Sequence, residues 1–327
     1  MARRSLFWIS CATAFLLLCL LLSLSWGEMP IYPWQWTSLE KDSMEAAILT
    51  RLRLPRTLTA LCIGGMLSMS GCLLQGLFKN PLVEPYTLGL SGGASLGVAA
   101  AFVSGMVRTA GFWSAGIAAF AGALAVSLVL LLYTRGKEHL ENLLLAGIKT
   151  GILCSSLTTL LMSLSSPQEM TRIIYWTMGS VENNDMQRAL LLCAVAAAGL
   201  ITGTLLSRQV NMLSAGGRMA RSMGVNTATL IPALLVLASA LTAVSVACAG
   251  IIGFVGLVVP HILRRTASTD YRLLIPLSFV LGGAFLILCD LLARTLIAPT
   301  QLPIGVVSGI AGGSLFVYLL TRKNANA

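Results

Sequence analysis

The chain has 327 residues, of which 56% are hydrophobic and only 10% charged. A soluble domain carries about 25% charged residues, so a soluble enzyme or binding module is excluded. The net charge of +10 is scattered at the ends of apolar runs, which argues against nucleic acid and for Lys/Arg-rich cytoplasmic loops.

Arg3-Arg4 followed by the run Leu6 to Leu24 reads as a first span or as a signal peptide. The run is long for a signal peptide and Ser23-Leu24-Ser25 is a mediocre cleavage site, so the span is preferred. Residues 28–56 form an external loop, with Pro30, Pro33, Trp34 and Trp36 suited to a membrane interface. Spans are predicted at 57–78, 86–106, 112–133 and 140–164. An external stretch at 165–186 then holds a short amphipathic helix ending near Gly179. Further spans follow at 187–206, 228–248, 254–265, 273–296 and 304–321. The 254–265 span is too short to cross alone and belongs inside the protein, where irregular backbone is tolerated. The fold class is therefore all-α: one polytopic membrane domain, 1–327, of about ten transmembrane helices, with a cytoplasmic loop at 207–227. Thirteen basic residues fall at the inner ends against eight outside, with Lys149 completing the 22. This bias puts both termini in the cytoplasm.

Eight cysteines lie within apolar runs without a CxxC pair, and His139 and His261 sit at the edges of different spans. No disulfide framework and no metal site is expected. No G-x-x-x-x-G-K-[ST] phosphate loop or HExxH helix occurs, so this chain should not bind ATP, and the energy must come from an ion gradient or a partner ATPase. Asp290 is the only acidic residue placed for ion coupling. Arg294, four residues on and on the same helix face, favours an internal ion pair over proton transport.

Gly89, Gly93 and Gly97, and again Gly305, Gly309 and Gly313, form small-residue ladders. These serve either packing within the chain or a subunit interface and pore lining. Lys149 lies ~12–16 Å from the inner end of its span. It either lines a translocation path and attracts an anionic cargo or snorkels to the cytoplasmic surface. The segment Asn211 to Val225 is too apolar for a free linker. Leu213, Met219, Met223 and Val225 offer an apolar surface beside Arg218 and Arg221. It either docks on a partner or lies on anionic lipid. Gln75 and Asn80 look like helix-end hydrogen bonders, and His261 after Pro260 looks structural.

Two segments carry a resemblance. The first runs from Arg51-Leu52-Arg53-Leu54-Pro55-Arg56 through Gly71-Cys72-Leu73-Leu74-Gln75-Gly76 to Lys79-Asn80-Pro81-Leu82 and Leu88-Gly89-Leu90-Ser91-Gly92-Gly93. The second is Gly250-Ile251-Ile252-Gly253-Phe254-Val255-Gly256 to Pro260-His261. Over roughly residues 6 to 320 the chain resembles the FecCD/BtuC family, the membrane subunits of ABC importers for iron-siderophores, haem and cobalamin. The resemblance implies a BtuC-like permease fold in the inner membrane. Two copies would pair around a path lined in part by the fifth and tenth spans. Two cytoplasmic ATPase subunits would carry ATP and Mg, with no cofactor on this chain and no catalysis by it, and an external substrate-binding protein would deliver the cargo. It implies ATPase coupling through Leu213, Gly216, Arg218, Arg221, Ser222 and Gly224. It also implies docking of the binding protein on Arg53, Arg56 and Arg294, where guanidinium forks would meet carboxylates. This chain has Gly217-Arg218 where the family often has acidic residues, and Lys149 where it usually has a small or apolar one. The expected cargo is a metal chelate, ferric siderophore first, with haem and cobalamin as alternatives. An ion-coupled transporter acting alone is the alternative of another class.

Overall fold

The computed structural model describes residues 2–27, 29–36, 40, 43–111, 113–134, 140–182 and 185–324. Lys41, Arg135, Lys137 and His139 of the sequence reading lie outside them. The described residues form helices and connecting segments with no strand.

The helices are α1 (Ala2–Ser25), α2 (Met44–Ala47), α3 (Leu54–Phe78), α4 (Leu90–Val103), α5 (Met106–Ala110), α6 (Trp113–Thr134), α7 (Leu140–Ser163) and α8 (Pro167–Thr177). They continue with α9 (Met186–Ala215), α10 (Gly217–Ser222), α11 (Thr227–Ala249), α12 (Val255–Thr266), α13 (Tyr271–Thr295) and α14 (Ile304–Asn324). Seven helical stretches among the described residues are long and apolar enough to cross a bilayer. α4, α12 and the apolar part of α14 are shorter, and together these ten match the predicted spans.

α3 is the axis. It is packed by α13, α9, α11 and α12, with α1 laid along α13. A second group, α4 with α6 and α7, joins the first through α11. Small residues set these distances: a Cβ on Gly71 would lie 1.9 Å from the Gly256 carbonyl oxygen, so α12 touches α3 backbone to backbone.

Three boundaries differ from the sequence reading. The predicted external loop 28–56 is helical from Met44, where Ser43 accepts from the Ala46 N–H. A π turn, Ile48–Arg53, then leads into α3. Pro55 would clash in a regular helix interior, and the wide turn before it lets the helix run on to Phe78. The predicted span 86–106 is split: a 3-10 turn, Pro85–Leu88, and Gly89 at φ 79° precede α4. The predicted loop 207–227 shrinks, because α9 runs to Ala215 with Ser207, Val210 and Leu213 buried along one face. The amphipathic helix after Ser165 is α8. Ser166 accepts from the Glu169 N–H at 3.3 Å and the Glu169 side chain returns to the Ser166 N–H at 3.2 Å, a capping box.

Between α11 and α12 the chain is irregular from Gly250 to Phe254, with both of these at positive φ, so its backbone needs partners from elsewhere. The Ile252 N–H donates to the Tyr86 hydroxyl at 3.0 Å, and the Phe254 N–H donates to the Glu84 carboxylate. The Ala249 carbonyl accepts from the Ser180 N–H at 2.8 Å. Gln75, expected at a helix end, instead bridges helices: its Nε2 donates to the Gly256 carbonyl at 3.1 Å. Asn80 does act locally, accepting from the Leu82 N–H at 2.9 Å.

Candidate functional site: two arginine-bearing ends and a groove

At the end of the molecule that carries α8, Arg56 and Arg294 converge on Asp290, and Arg53 holds the chain at the end of α1. Arg56 Nε donates to both Asp290 oxygens, at 2.9 and 3.1 Å, and its Nη1 donates to Gln301 Oε1 at 2.8 Å. Arg294 Nε lies 3.8 Å from Asp290 Oδ2, the pair expected from their spacing. The tighter partner is Arg56, from another helix, which spacing alone does not reveal. Arg294 Nη2 also donates to the Ser23 carbonyl and, at 2.9 Å, to the Ser23 hydroxyl. Arg53 donates to the carbonyls of Leu24 at 2.8 Å, Ser25 at 3.1 Å and Met29. Two guanidinium groups, Arg56 and Arg294, thus face one carboxylate, while Arg53 and Arg294 place positive charge on the carbonyls at the end of α1, the negative end of its dipole. Asp290 is 1% exposed, Arg53 5% and Arg294 8%. The docking role expected of Arg53 and Arg294 needs guanidinium groups open to a partner. Here both are turned inward, because a buried carboxylate and the end of α1 occupy them.

At the opposite end, α10 forms a small platform. Gly216 at φ 144° and Gly224 at φ 84° bracket it. Ala220 is buried, and its carbonyl accepts from the Val225 N–H at 3.0 Å. Arg218, Arg221, Ser222 and Gly224 are exposed, and Met219 and Met223 are each 51% exposed. Leu213, expected on this surface, is buried instead: it lies on the same face of α9 as Val210 and anchors the platform to the core. Asn211, at the end of α9, donates from Nδ2 to Asp270 Oδ1 at 2.6 Å and accepts from the Tyr271 N–H at 3.0 Å. The platform is therefore tied to the start of α13. Partial burial of Asp270 works against ionisation, but the Arg272 N–H, the Asn211 amide and the Arg272 charge outweigh it. They hold the carboxyl below the ordinary range.

The glycine ladders divide. A Cβ on Gly93 would meet the Gly122 carbonyl at 2.5 Å, one on Gly97 the Ala118 carbonyl at 2.1 Å, and one on Gly89 the Gly147 carbonyl at 2.7 Å. All three therefore pack α4 and the turn before it against α6 and α7 of the same chain. Gly305 approaches the carbonyls of Met178 and Ile251, and Gly313 faces the Phe254 ring. Gly309 opens on empty space, next to Ile310, 70% exposed. Of the six, Gly309 alone lies on an uncovered face.

A groove of ≈ 550 Å³ runs between α7, α4 and the 3-10 turn, with Thr87, Ser91, Ser155, Ser156 and Thr159 on its walls. Lys149 does not line the groove; it follows Ile148, which does, and is exposed. Among the described residues no group of three or more His, Cys, Asp or Glu could hold a metal ion.

Residues 15–322 match the model of the FecCD transport family. The chain belongs to the FecCD transport family. It is 40% identical over 321 residues to the vitamin B12 import system permease protein BtuC of Salmonella paratyphi A, covering 98% of this chain and 97% of the relative. It is 39% identical over 320 residues to the protein of the same name in Escherichia coli, covering 98% and 96%. A solved ABC transporter described as of metal-chelate type, in an inward-facing conformation, superposes with a TM-score of 0.85 at 28% identity, covering 95% of this chain and 97% of that one. PsaBC from Streptococcus pneumoniae shares the fold at a TM-score of 0.58 and 18% identity. This chain is thus a polytopic permease subunit of an ABC importer of the FecCD type and not itself an enzyme. Its type implies a separate ATPase and a binding protein.

Sequence reasoning missed the Arg56–Asp290 link, its Gln301 partner, and the pairing of Glu84 and Tyr86 with the irregular segment before α12. The signal for the last was present: a Glu-Pro-Tyr run after an Asn-Pro turn, in a chain with few acids, implies a buried backbone to satisfy.

Proposed function

We propose that two copies of this chain form the inward path for a metal chelate across the inner membrane. The α10 end would face the cytoplasm with both termini, and the α8 end would face outside. Each α10 would dock in a groove on one of two ATPase subunits through Arg218, Met219, Arg221, Ser222, Met223 and Gly224. The observation that carries this reading is the α10 platform: exposed methionine and arginine side chains on a short helix tied to the core by Leu213 and Asn211. ATP-driven closure of the ATPases would move α9 and α13 through that tie and switch access to the path. ATP and Mg would be held by the partner.

The copies would meet along α7 and α14, where exposed Ile152, Leu153 and Ile310 and the open face of Gly309 suit close packing. Membrane lipid would cover α1, α6 and α9. The external binding protein would approach Arg56, whose Nη1 reaches the surface at Gln301. Arg53 and Arg294 would support that site from beneath. Of the candidate cargoes, full-length similarity to vitamin B12 permeases moves cobalamin ahead of ferric siderophore and haem.

Proteoliposomes holding the permease with its ATPase, internal ATP and external binding protein test this with labelled cobalamin, ferric siderophore and haem in parallel. Uptake of one cargo that requires ATP and stops with vanadate is expected. Uptake that persists with vanadate or without the ATPase would mean an ion-coupled carrier and would sink the reading.

A further inference from the structure

One face of α7 carries a charge without an ion-pair partner among the described residues, followed by a run of hydroxyls. Lys149 stands nine residues into the 24-residue helix, about 14 Å along it. It is exposed, flanked by exposed Leu145, Ile152 and Leu153. Its ammonium has no ion-pair partner among the described residues. Against lipid, a lysine near the middle of a span costs about 2.5–3.5 kcal/mol. Ser156 follows seven residues later on the same side of the helix, and Ser155 and Thr159 continue the polar surface into the groove. The hydroxyls of Ser156 and Thr159 donate to the carbonyls of Ile152 and Ser155 of their own helix, each at 3.0 Å. Their lone pairs therefore remain open to water. Facing them across the groove are Thr87 and Ser91. None of the described residues lining the groove is acidic. A polar wall beside an unpaired cation suits an aqueous surface and not a lipid-facing one.

We propose that Lys149 is the charge selector of the translocation path, drawing carboxylate or phosphate groups of the cargo into the groove beside α7. This deepens the permease reading and rests on it. The lysine acts through its field on any anionic oxygen that passes. It would favour the phosphodiester of a cobalamin or the carboxylates of a ferric siderophore or haem over a cationic chelate of the same size.

The test needs no knowledge of the cargo. In the reconstituted complex, S156C is treated from both sides with an anionic and a cationic methanethiosulfonate reagent, with the parent protein correcting for native cysteines. The anionic reagent is expected to react faster. K149M should lower the anion-to-cation rate ratio by about fivefold or more, and K149R should keep it. T159C, one turn away, gives the same comparison if S156C does not assemble. An unchanged ratio in K149M overturns the proposal. So does a lack of reaction with either reagent at both positions, because lipid then covers this face and lipid phosphate holds the lysine. Failure of the permease reading is a separate result: the parent complex would take up no chelate in an ATP-dependent way while the reagent ratio still moved with Lys149.

Discussion

The two ends of this permease use arginine in opposite ways. At the α8 end Arg56 and Arg294 hold one buried carboxylate, and Arg53 and Arg294 bond the carbonyls that end α1. At the α10 end Arg218 and Arg221 stand on a six-residue helix among exposed methionines. In sequence both groups are basic residues near span ends. What separates them is acceptor supply. Asp290 and the carbonyls of Ser23, Leu24, Ser25 and Met29 draw one set inward, whereas Gly216 and Gly224 bracket the other set on an exposed turn. A guanidinium facing a buried carboxylate belongs to stability, and an exposed one such as Arg218 can reach a partner.

The strongest way to break the comparison is Asp290→Asn. It would leave Arg56 and Arg294 without their carboxylate in a site almost closed to water. Removing one member of such a buried group costs about 3–5 kcal/mol. A large fall in thermal stability of the detergent-solubilised protein is expected, along with low yield. A stability change under about 1 kcal/mol would mean that the network is solvated and that these arginines resemble those on α10.

Arg53→Met comes next. It removes a charged donor from the carbonyls of Leu24, Ser25 and Met29, at about 1.5–3 kcal/mol for hydrogen bonds to a charged group. The loss should be local, since α1 is held mainly along α13. Limited proteolysis near Glu28 should accelerate before global unfolding shifts. If unfolding shifts and cleavage does not, Arg53 supports the whole bundle and not the end of α1.

At the other end the expected effect lies in coupling. Arg218→Glu and Met219→Glu change exposed side chains, so stability should stay within about 0.5 kcal/mol. Stimulated ATPase activity and uptake should fall by about tenfold, as for truncation of an interface anchor. Normal uptake in both variants would remove α10 from the coupling path.

Much of this was legible in the sequence, and the failures share a cause. Hydropathy found a helix at each of the ten predicted spans, seven of them long and apolar enough to cross among the described residues, because a bilayer demands apolar runs whatever the packing. It ended α9 early and started α3 late, because both helices continue beyond the bilayer on faces buried by protein. Leu213 and Arg53 were misplaced for that reason. A residue's duty outside the membrane depends on neighbours far along the chain, as Arg56 depends on Asp290 and Gln301. Gly93, Gly97 and Gly309 show the same limit: identical residues at identical spacing, and only the fold separates those under a neighbouring helix from the one on an open face.

The smallest expected effect tests how firmly the α10 platform is tied down. Asp270 caps α13 by accepting from the Arg272 N–H at 2.9 Å and also takes the Asn211 amide. Its carboxyl is held below the ordinary range, so the folded state favours the ionised form. The stability it contributes is complete above the unfolded value and is lost as pH falls through the lower folded value. Asp270→Asn keeps a good cap and removes the charge. It should change stability little near neutrality and flatten only the acid end of the profile. Asp270→Ala loses the cap as well, about 1 kcal/mol, and frees Asn211. If the tie transmits ATPase motion, Asp270→Ala should lower uptake per ATP hydrolysed more than Asp270→Asn does. Equal uptake in the two would mean that the platform moves with α9 alone and that α13 is a bystander to the switch.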